Sequence, residues 1–278
     1  MAQIEHVSDT ALMVAACRAL ETDRPDGFVH DPFAASLAGE KGMAIARDAS
    51  KIEWMCFGVG IRSRFIDEFL TRALLQGTIR TVVNLGAGLD TRPWRLHLPA
   101  GLRWIEVDFE DMLEYKADRL RAQQPRCILE RMAADLTLPG DRERVFRAVG
   151  DAPTLMITEG LLMYLPRQAL VALSSEAAAT SRVRWWILDV SSTELMQRAH
   201  GDLIRDIESV RAEDHLTGRE IIDVALSQGW KIERFCSYTR DAVRIAQDRI
   251  MKLAATERLP EPPPEDDPSG VYLFTRDS

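Results

Sequence analysis

Gly86, Gly88 and an aspartate twenty positions after the second glycine, Asp108, are the residues whose types and spacing point most directly at chemistry. The glycines, with Ala87 between them, close the apolar, β-branched run Thr81 to Leu85. A buried parallel strand is therefore predicted to end where the backbone approaches a ligand closely, which a residue with a Cβ would hinder. Asp108 ends a second apolar run, Trp104 to Val107. At that place a carboxylate accepts hydrogen bonds from the two hydroxyls of a ribose. The pair of signals predicts a nucleotide-type cofactor site.

What the turn lacks narrows the ligand. A dinucleotide loop of the G-x-G-x-x-G type uses its third glycine for close helix packing and aims a helix N-terminus at a pyrophosphate. Here the third position is Thr91. A loop with Gly86 and Gly88 alone suits a smaller, net cationic ligand without phosphate, S-adenosylmethionine. A nicotinamide oxidoreductase shares the strand, the turn and the ribose acid, but it needs that third glycine and a proton donor at a hydride-transfer site. Neither stands out in this sequence.

These residues have to be held by a sheet. From Thr81 onward, apolar runs alternate with helical patterns, as a parallel sheet with crossover helices requires. Strands are predicted at Thr81 to Leu85, Arg103 to Val107, Cys127 to Met132, Thr154 to Thr158 and Val183 to Val190. Helices are predicted at Asp111 to Gln124, at Asp141 to Val149, and from Pro166 through Ala179. Thr217 to Glu220 reads as a capping box opening a helix that Gly229 closes. Lys231 to Tyr238 and Val271 to Thr275 supply two last strands, with no crossover helix expected between them. This is the arrangement expected of a class I methyltransferase: an α/β, Rossmann-like, seven-stranded, mostly parallel sheet. Leu259 to Gly270, rich in Pro, Glu and Asp, buries too little apolar surface to order itself and is expected to be a mobile loop.

About eighty residues precede the sheet. Ala11 to Leu20 and Ile61 to Leu75 carry apolar positions at helical spacing, the second with Ile61, Phe65, Phe69 and Ala73 on one stripe and Gly77 as a stop. They are expected to form an N-terminal helical cap over the cofactor cleft. Arg62 and Arg64 fall on that helix, where a guanidinium can hold a ligand carboxylate in a fork. The expected organisation is one methyltransferase domain over 1–278: a helical cap at 1–78, a cofactor-binding half at 79–190, and a substrate-side insertion with the last two strands at 191–278.

Composition excludes several classes. A chain of 278 residues with 46% apolar content buries one large core. A formal charge of −8 and the lack of any Lys/Arg run argue against nucleic acid as a partner. Met1 to Asp9 has no basic region followed by an apolar one, and no stretch approaches the roughly 18 apolar residues of a membrane span. The expectation is a cytoplasmic protein with a small-molecule substrate and no membrane partner; its oligomeric state is not legible. Cys17, Cys56, Cys127 and Cys236 show no C-x-x-C spacing, and the five histidines no metal spacing, so neither disulfides nor a metal are expected.

Several separated stretches, in order, resemble the leucine carboxyl methyltransferase family, in particular its bacterial branch of S-adenosylmethionine-dependent O-methyltransferases, some of which act on polyketides and other secondary metabolites. They are Thr10 with Ala11, Ala15 to Glu21, Asp31-Pro32-Phe33-Ala34, Arg62-Ser63-Arg64, Val83 to Leu96, Glu106-Val107-Asp108, Ala134-Asp135-Leu136, and Thr158-Glu159-Gly160 through Tyr164-Leu165-Pro166. The resemblance fades after Val190. It implies that Asp108 binds the ribose, that Asp135 and Leu136 hold the adenine end, that Glu159 stands beside the cofactor, and that an arginine, here Arg62, holds the methionine carboxylate.

The residues themselves are compatible with those roles. Asp135 follows the third strand closely, where a carboxylate accepts from an exocyclic amine, or alternatively starts a helix. Glu159 directly follows the apolar Leu155 to Ile157 and Thr158, at the carboxyl edge of the sheet where α/β ligands bind. Tyr164 either lines the transfer cleft or packs. A sulfonium already carries an activated methyl, so the protein's task is to hold an oxygen nucleophile in line in a water-poor cleft. A carboxylate acceptor needs no base; a hydroxyl acceptor needs one, with Glu159 or a histidine as candidate and Tyr164 beside it. Arg92 and Arg95 favour an anionic substrate unless they pair with a carboxylate such as Asp90. A noncatalytic cofactor-binding protein of the same fold remains an alternative, because fold alone does not decide activity.

Overall fold

The computed structural model describes residues 6–49, 52–200, 204–256, 264 and 266–276. Three helices come first: α1 (Val7–Thr22), α2 (Ala34–Asp48) and α3 (Ile52–Leu75). The strands are β1 (Thr81–Leu85), β2 (Arg103–Asp108), β3 (Ile128–Ala133), β4 (Thr154–Thr158), β5 (Val183–Val190), β6 (Lys231–Ser237) and β7 (Gly270–Thr275). They form one sheet in the order β3-β2-β1-β4-β5-β7-β6. β7 is antiparallel to both neighbours, and every other pairing is parallel. Chain order reverses between β1 and β4, the switch point at whose carboxyl strand ends α/β sheets bind ligands.

The crossover elements are α4 (Arg92–Arg95), α5 (Glu110–Arg119), α6 (Pro139–Val149) and α7 (Arg167–Ala179), followed by α8 (Thr193–His200), α9 (Ile204–Ser209), α10 (Arg219–Ser227) and α11 (Arg240–Thr256). Alternation along each central strand divides the core. Val83, Leu85, Ile105, Val107, Met156, Trp186 and Phe274 face α7 and α10 through Leu170, Leu173, Ile221 and Ile222. Val82, Trp104, Leu155, Ile157, Ile187 and Leu273 face α3 and α11. With both faces covered, the central strands are apolar almost throughout, which is why they were legible as continuous runs, whereas the outer strands β3 and β6 are largely exposed and carry charges.

The expected stripe of α3 is buried throughout, with Ile61 at 1% and Phe65 and Phe69 at 3% exposure. Gly77, at φ +72°, ends the turn with its N–H on Leu74 O. The helix starts nine residues earlier than its apolar stripe suggests, at Ile52. Three expectations need correction. Helix α5 stops at Arg119, not Gln124, because Leu120 turns into the core and Pro125 disfavours helix in the residue before it. The capping box is half formed: Thr217 N–H reaches Glu220 Oε2 at 3.4 Å, but the Thr217 hydroxyl lies against Thr193, and Gly218, at φ +48°, occupies the cap. The last two strands are joined through α11, whose Ala242, Ile245, Ala246, Ile250 and Leu253 pack on the sheet. Half of Leu259 to Gly270 lies outside the described residues; of the rest, Ser269 is buried and Gly270 opens β7, so that end is not the mobile loop expected. Among the described residues no helix is long and apolar enough to cross a membrane.

Candidate active site

The glycine turn has the geometry its sequence predicts. Gly86 and Gly88 have φ of +63° and +42°. A Cβ at Gly86 would stand 2.9 Å from Leu161 Cδ1, so the backbone angle disfavours a side chain and Leu161 would have to shift to admit one. The turn is tied to β2: Ala87 N–H donates to Val107 O at 3.0 Å, and Gly88 N–H to Asp108 Oδ2 at 2.6 Å. Asp108 Oδ1 accepts from Phe109 N–H at 2.7 Å. Burial, opposed only in part by these two N–H groups, raises the Asp108 carboxyl above its usual range. A hydrogen-bonding ligand that compensates that burial would be held strongly.

Glu159, the first residue past β4, is clasped by two arginines. Arg62 Nε lies 3.0 Å from Glu159 Oε1, and Arg92 Nη1 2.6 Å from Oε2. Arg62 also reaches Asp189 Oδ2 at 3.5 Å. Asp189 takes Gly160 N–H at 2.6 Å and the Tyr238 hydroxyl at 3.4 Å. On the other side Arg92 pairs with Asp67 at 2.6 Å and Asp90 at 2.9 Å, while Arg95 grips Asp67 with both terminal nitrogens. Asn84 donates to Asp90 as well, leaving its own buried Oδ1 without a partner among the described residues.

The electrostatics follow from that arrangement. Burial by itself would raise Glu159, but Arg92 and Arg62 overcome it and hold the carboxyl below its ordinary range. Asp90 is lowered likewise, with Arg92 prevailing over burial. For Asp189 burial prevails over Arg62 and the carboxyl is raised. Arg62 and Arg92 are pushed up, their carboxylates outweighing burial. Four carboxylates, Asp67, Asp90, Glu159 and Asp189, thus share three guanidiniums. A crevice with surplus negative charge suits a cation carrying a zwitterionic tail and disfavours a pyrophosphate.

Asp135 and Leu136 follow β3, Tyr164 follows β4, and Arg64 is on α3. Asp135 sits past β3, but its Oδ1 accepts from Thr137 N–H and Oγ1 at 2.9 and 2.7 Å, so it braces its own turn and makes no bond to the cluster. Leu136 sends its side chain into the core. Tyr164, in the helical turn after Glu159, is half-buried and hydrogen-bonded to Thr10 of α1, with burial raising its hydroxyl pKa. Arg64 points away and pairs with Glu68 on its own helix at 3.0 Å. Arg92 and Arg95 are taken up by structural carboxylates, so the anionic-substrate reading drawn from them loses its basis.

Sequence reasoning missed Asp67, Asp189 and Tyr238. Asp189 had a readable signal, a lone carboxylate inside the apolar strand Val183–Val190; Asp67 and Tyr238 had none. It also left the cap unexplained. Arg18 of α1 donates to Leu89 O at 2.7 Å and to Asp31 at 2.9 Å, and Thr91 donates to the same aspartate at 2.7 Å, so α1 is bonded to the loop behind the glycines.

The chain is similar to known proteins in sequence and in fold. A family model described as leucine carboxyl methyltransferase matches residues 11–178. A protein of Frankia alni named "Putative S-adenosyl-L-methionine-dependent methyltransferase" is 34% identical over 69% of this chain and 72% of its own. One from Saccharopolyspora erythraea with the same description is 33% identical over 83% of this chain and 85% of its own. Among solved structures, a DUF574 family protein from Streptomyces avermitilis superposes with TM-score 0.57 at 11% identity, covering 95% of this chain and 97% of that one; it shares the fold.

Proposed function

The chain belongs to the leucine carboxyl methyltransferase family, and from that premise we propose that it methylates an oxygen, a carboxylate or a hydroxyl, of a small secondary-metabolite acceptor. It is a methyltransferase that uses S-adenosylmethionine. The observation that carries the carboxylate as first reading is the state of Glu159. A carboxyl bonded to Arg62 and Arg92 and held below its ordinary range is a poor proton acceptor and a good fixed anion.

The cofactor supplies an activated methyl on a sulfonium. Around it the chain's own groups divide the work. Asp108 accepts from the ribose hydroxyls, and the glycine turn leaves room for the amino-acid tail. Arg62 would hold the tail carboxylate and Glu159 the tail ammonium. Tyr164 and the cap helices exclude water from the line of transfer. With Glu159 committed to placement, the acceptor that needs no base is favoured, which makes the carboxylate the first reading and the hydroxyl the second.

Incubating the protein with methyl-labelled cofactor and extracts of the producing organism, followed by mass spectrometry, identifies the acceptor; absence of any labelled small molecule would contradict the proposal. Single-turnover rates then separate the two oxygens. A carboxylate is fully ionised above about pH 6, so the rate is expected to be nearly flat from about pH 6 to 9. A tenfold rise per pH unit below neutrality would overturn the carboxylate reading.

A further inference from the structure

Beyond Tyr164 lies a buried guanidinium that the scheme above does not use. Arg211 follows α9, and its side chain is 1% exposed. An antiparallel bridge between Pro166 and His215 fixes this segment against the loop that carries Met163 and Tyr164. The guanidinium carbon is 5.9 Å from the Tyr164 ring centroid, so Arg211 lies one ring's breadth from the residues that follow Glu159.

Its partners are unlike those of the other buried arginines. Nη1 holds Glu208 Oε1 at 2.6 Å, a carboxylate that is itself 38% exposed, and faces His215 Nε2 at 3.5 Å. His215 Nδ1 lies 2.6 Å from Ala212 O, to which it donates, and Nε2 also lies 3.6 Å from Glu208 Oε2. Among the described residues Nη2 contacts only thioethers, Met196 Sδ at 2.7 Å and Met163 Sδ at 3.6 Å, and sulfur is a weak acceptor. Nε has no partner among the described residues. The Nε–Nη2 edge is one of the two through which parallel N–H bonds clasp a carboxylate, and among the described residues no oxygen serves it. Burial outweighs Glu208 and lowers the pKa of this guanidinium, whereas Arg62 and Arg92 are raised.

A buried cation left this short of acceptors costs stability, and such costs are retained where a ligand removes them. We propose that Arg211 is the anion-recognition residue of the acceptor pocket, clasping a carboxylate of the acceptor through its Nε–Nη2 edge on the Tyr164 side of the cofactor. The inference rests on the methyl-transfer reading for what that carboxylate is attached to. Arg211 selects the acceptor; the cofactor sets which oxygen takes the methyl. Glu208 is the competing carboxylate, holding the guanidinium by Nη1 alone until the acceptor arrives.

The test uses the full chain loaded with S-adenosylhomocysteine, with benzoate and octanoate as probes and benzamide and octanamide as their uncharged counterparts. At least one carboxylate is expected to bind tenfold or more tightly than its amide. Arg211→Met, which puts a third thioether beside Met163 and Met196, is expected to abolish that preference while leaving S-adenosylhomocysteine affinity unchanged and Tm equal or higher. Glu208→Gln is expected to tighten carboxylate binding severalfold. Wild-type protein showing no preference for either carboxylate, or an Arg211→Met variant that melts lower and keeps the preference, would overturn the assignment. S-adenosylhomocysteine binding, read in the same titrations, distinguishes that failure from a failure of the methyl-transfer reading.

Discussion

At the scale of single residues, the site is a set of carboxylates and guanidiniums whose roles depend on who pairs with whom. Arg62 and Arg64 are two apart on α3, yet only Arg62 faces Glu159 and Asp189, while Arg64 stays on the outer face with Glu68. Arg62→Ala is therefore expected to weaken S-adenosylmethionine binding by at least tenfold, the order of one charge-assisted hydrogen bond of about 1.5–3 kcal/mol, with Arg64→Ala close to wild type. Calorimetric titration of both variants checks the ranking, and the reverse order would place the tail carboxylate elsewhere. Glu159 was visible in sequence because it breaks an apolar run at a strand end. Its two guanidinium partners were not visible as partners, since Arg62 is 97 and Arg92 67 positions away and no local pattern encodes such pairing.

At the scale of elements, what was legible was periodicity and what was not was amphipathy diluted by charge. The buried strands read directly from Thr81–Leu85 and Thr154–Thr158 because each is apolar and covered on both faces. Helix α11 escaped because its inner stripe is built on Ala242 and Ala246 and interrupted by Arg249. That arginine is no surface charge. It forms a bidentate pair with Glu21 of α1, both residues buried, its guanidinium beside the rings of Phe28 and Phe57. The first helix of the cap is thereby fastened to the last helix of the chain. Removing one partner leaves the other charged and buried, so Arg249→Met is expected to destabilise the fold by about 3–5 kcal/mol, the usual cost of breaking such a pair. Urea unfolding measures it, and a loss under about 1 kcal/mol would mean the pair is not a fastening.

At the scale of the whole molecule, the sheet gathers the carboxyl ends of β1, β2, β4 and β5 into one crevice, and the cap closes onto it through Arg18 and Tyr164. The charge stored there makes stability depend on pH. Glu159, Asp90 and Asp31 have folded pKa values below their unfolded ones, because their arginine partners outweigh burial. Their contribution is present above about pH 5 and is lost as pH falls through the unfolded range near 4 toward the lower folded values. Asp189 and Asp108 are raised by burial and act in the opposite sense, contributing at low pH and losing that contribution as pH rises through their folded values. Glu159→Gln is thus expected to lower the urea midpoint at pH 7 and to flatten its fall between pH 5 and 3; an unchanged acid slope would remove Glu159 from the network. The central claim is that the glycine turn, Asp108 and the Arg62–Glu159 pair form one adenosylmethionine site. Titrating wild type and Asp108→Ala with S-adenosylmethionine and NAD tests it most directly. S-adenosylmethionine is expected to bind wild type, with about ten- to a hundredfold loss in a folded Asp108→Ala variant, and NAD to bind neither. Binding of NAD without S-adenosylmethionine, or an Asp108→Ala affinity equal to wild type, would contradict it.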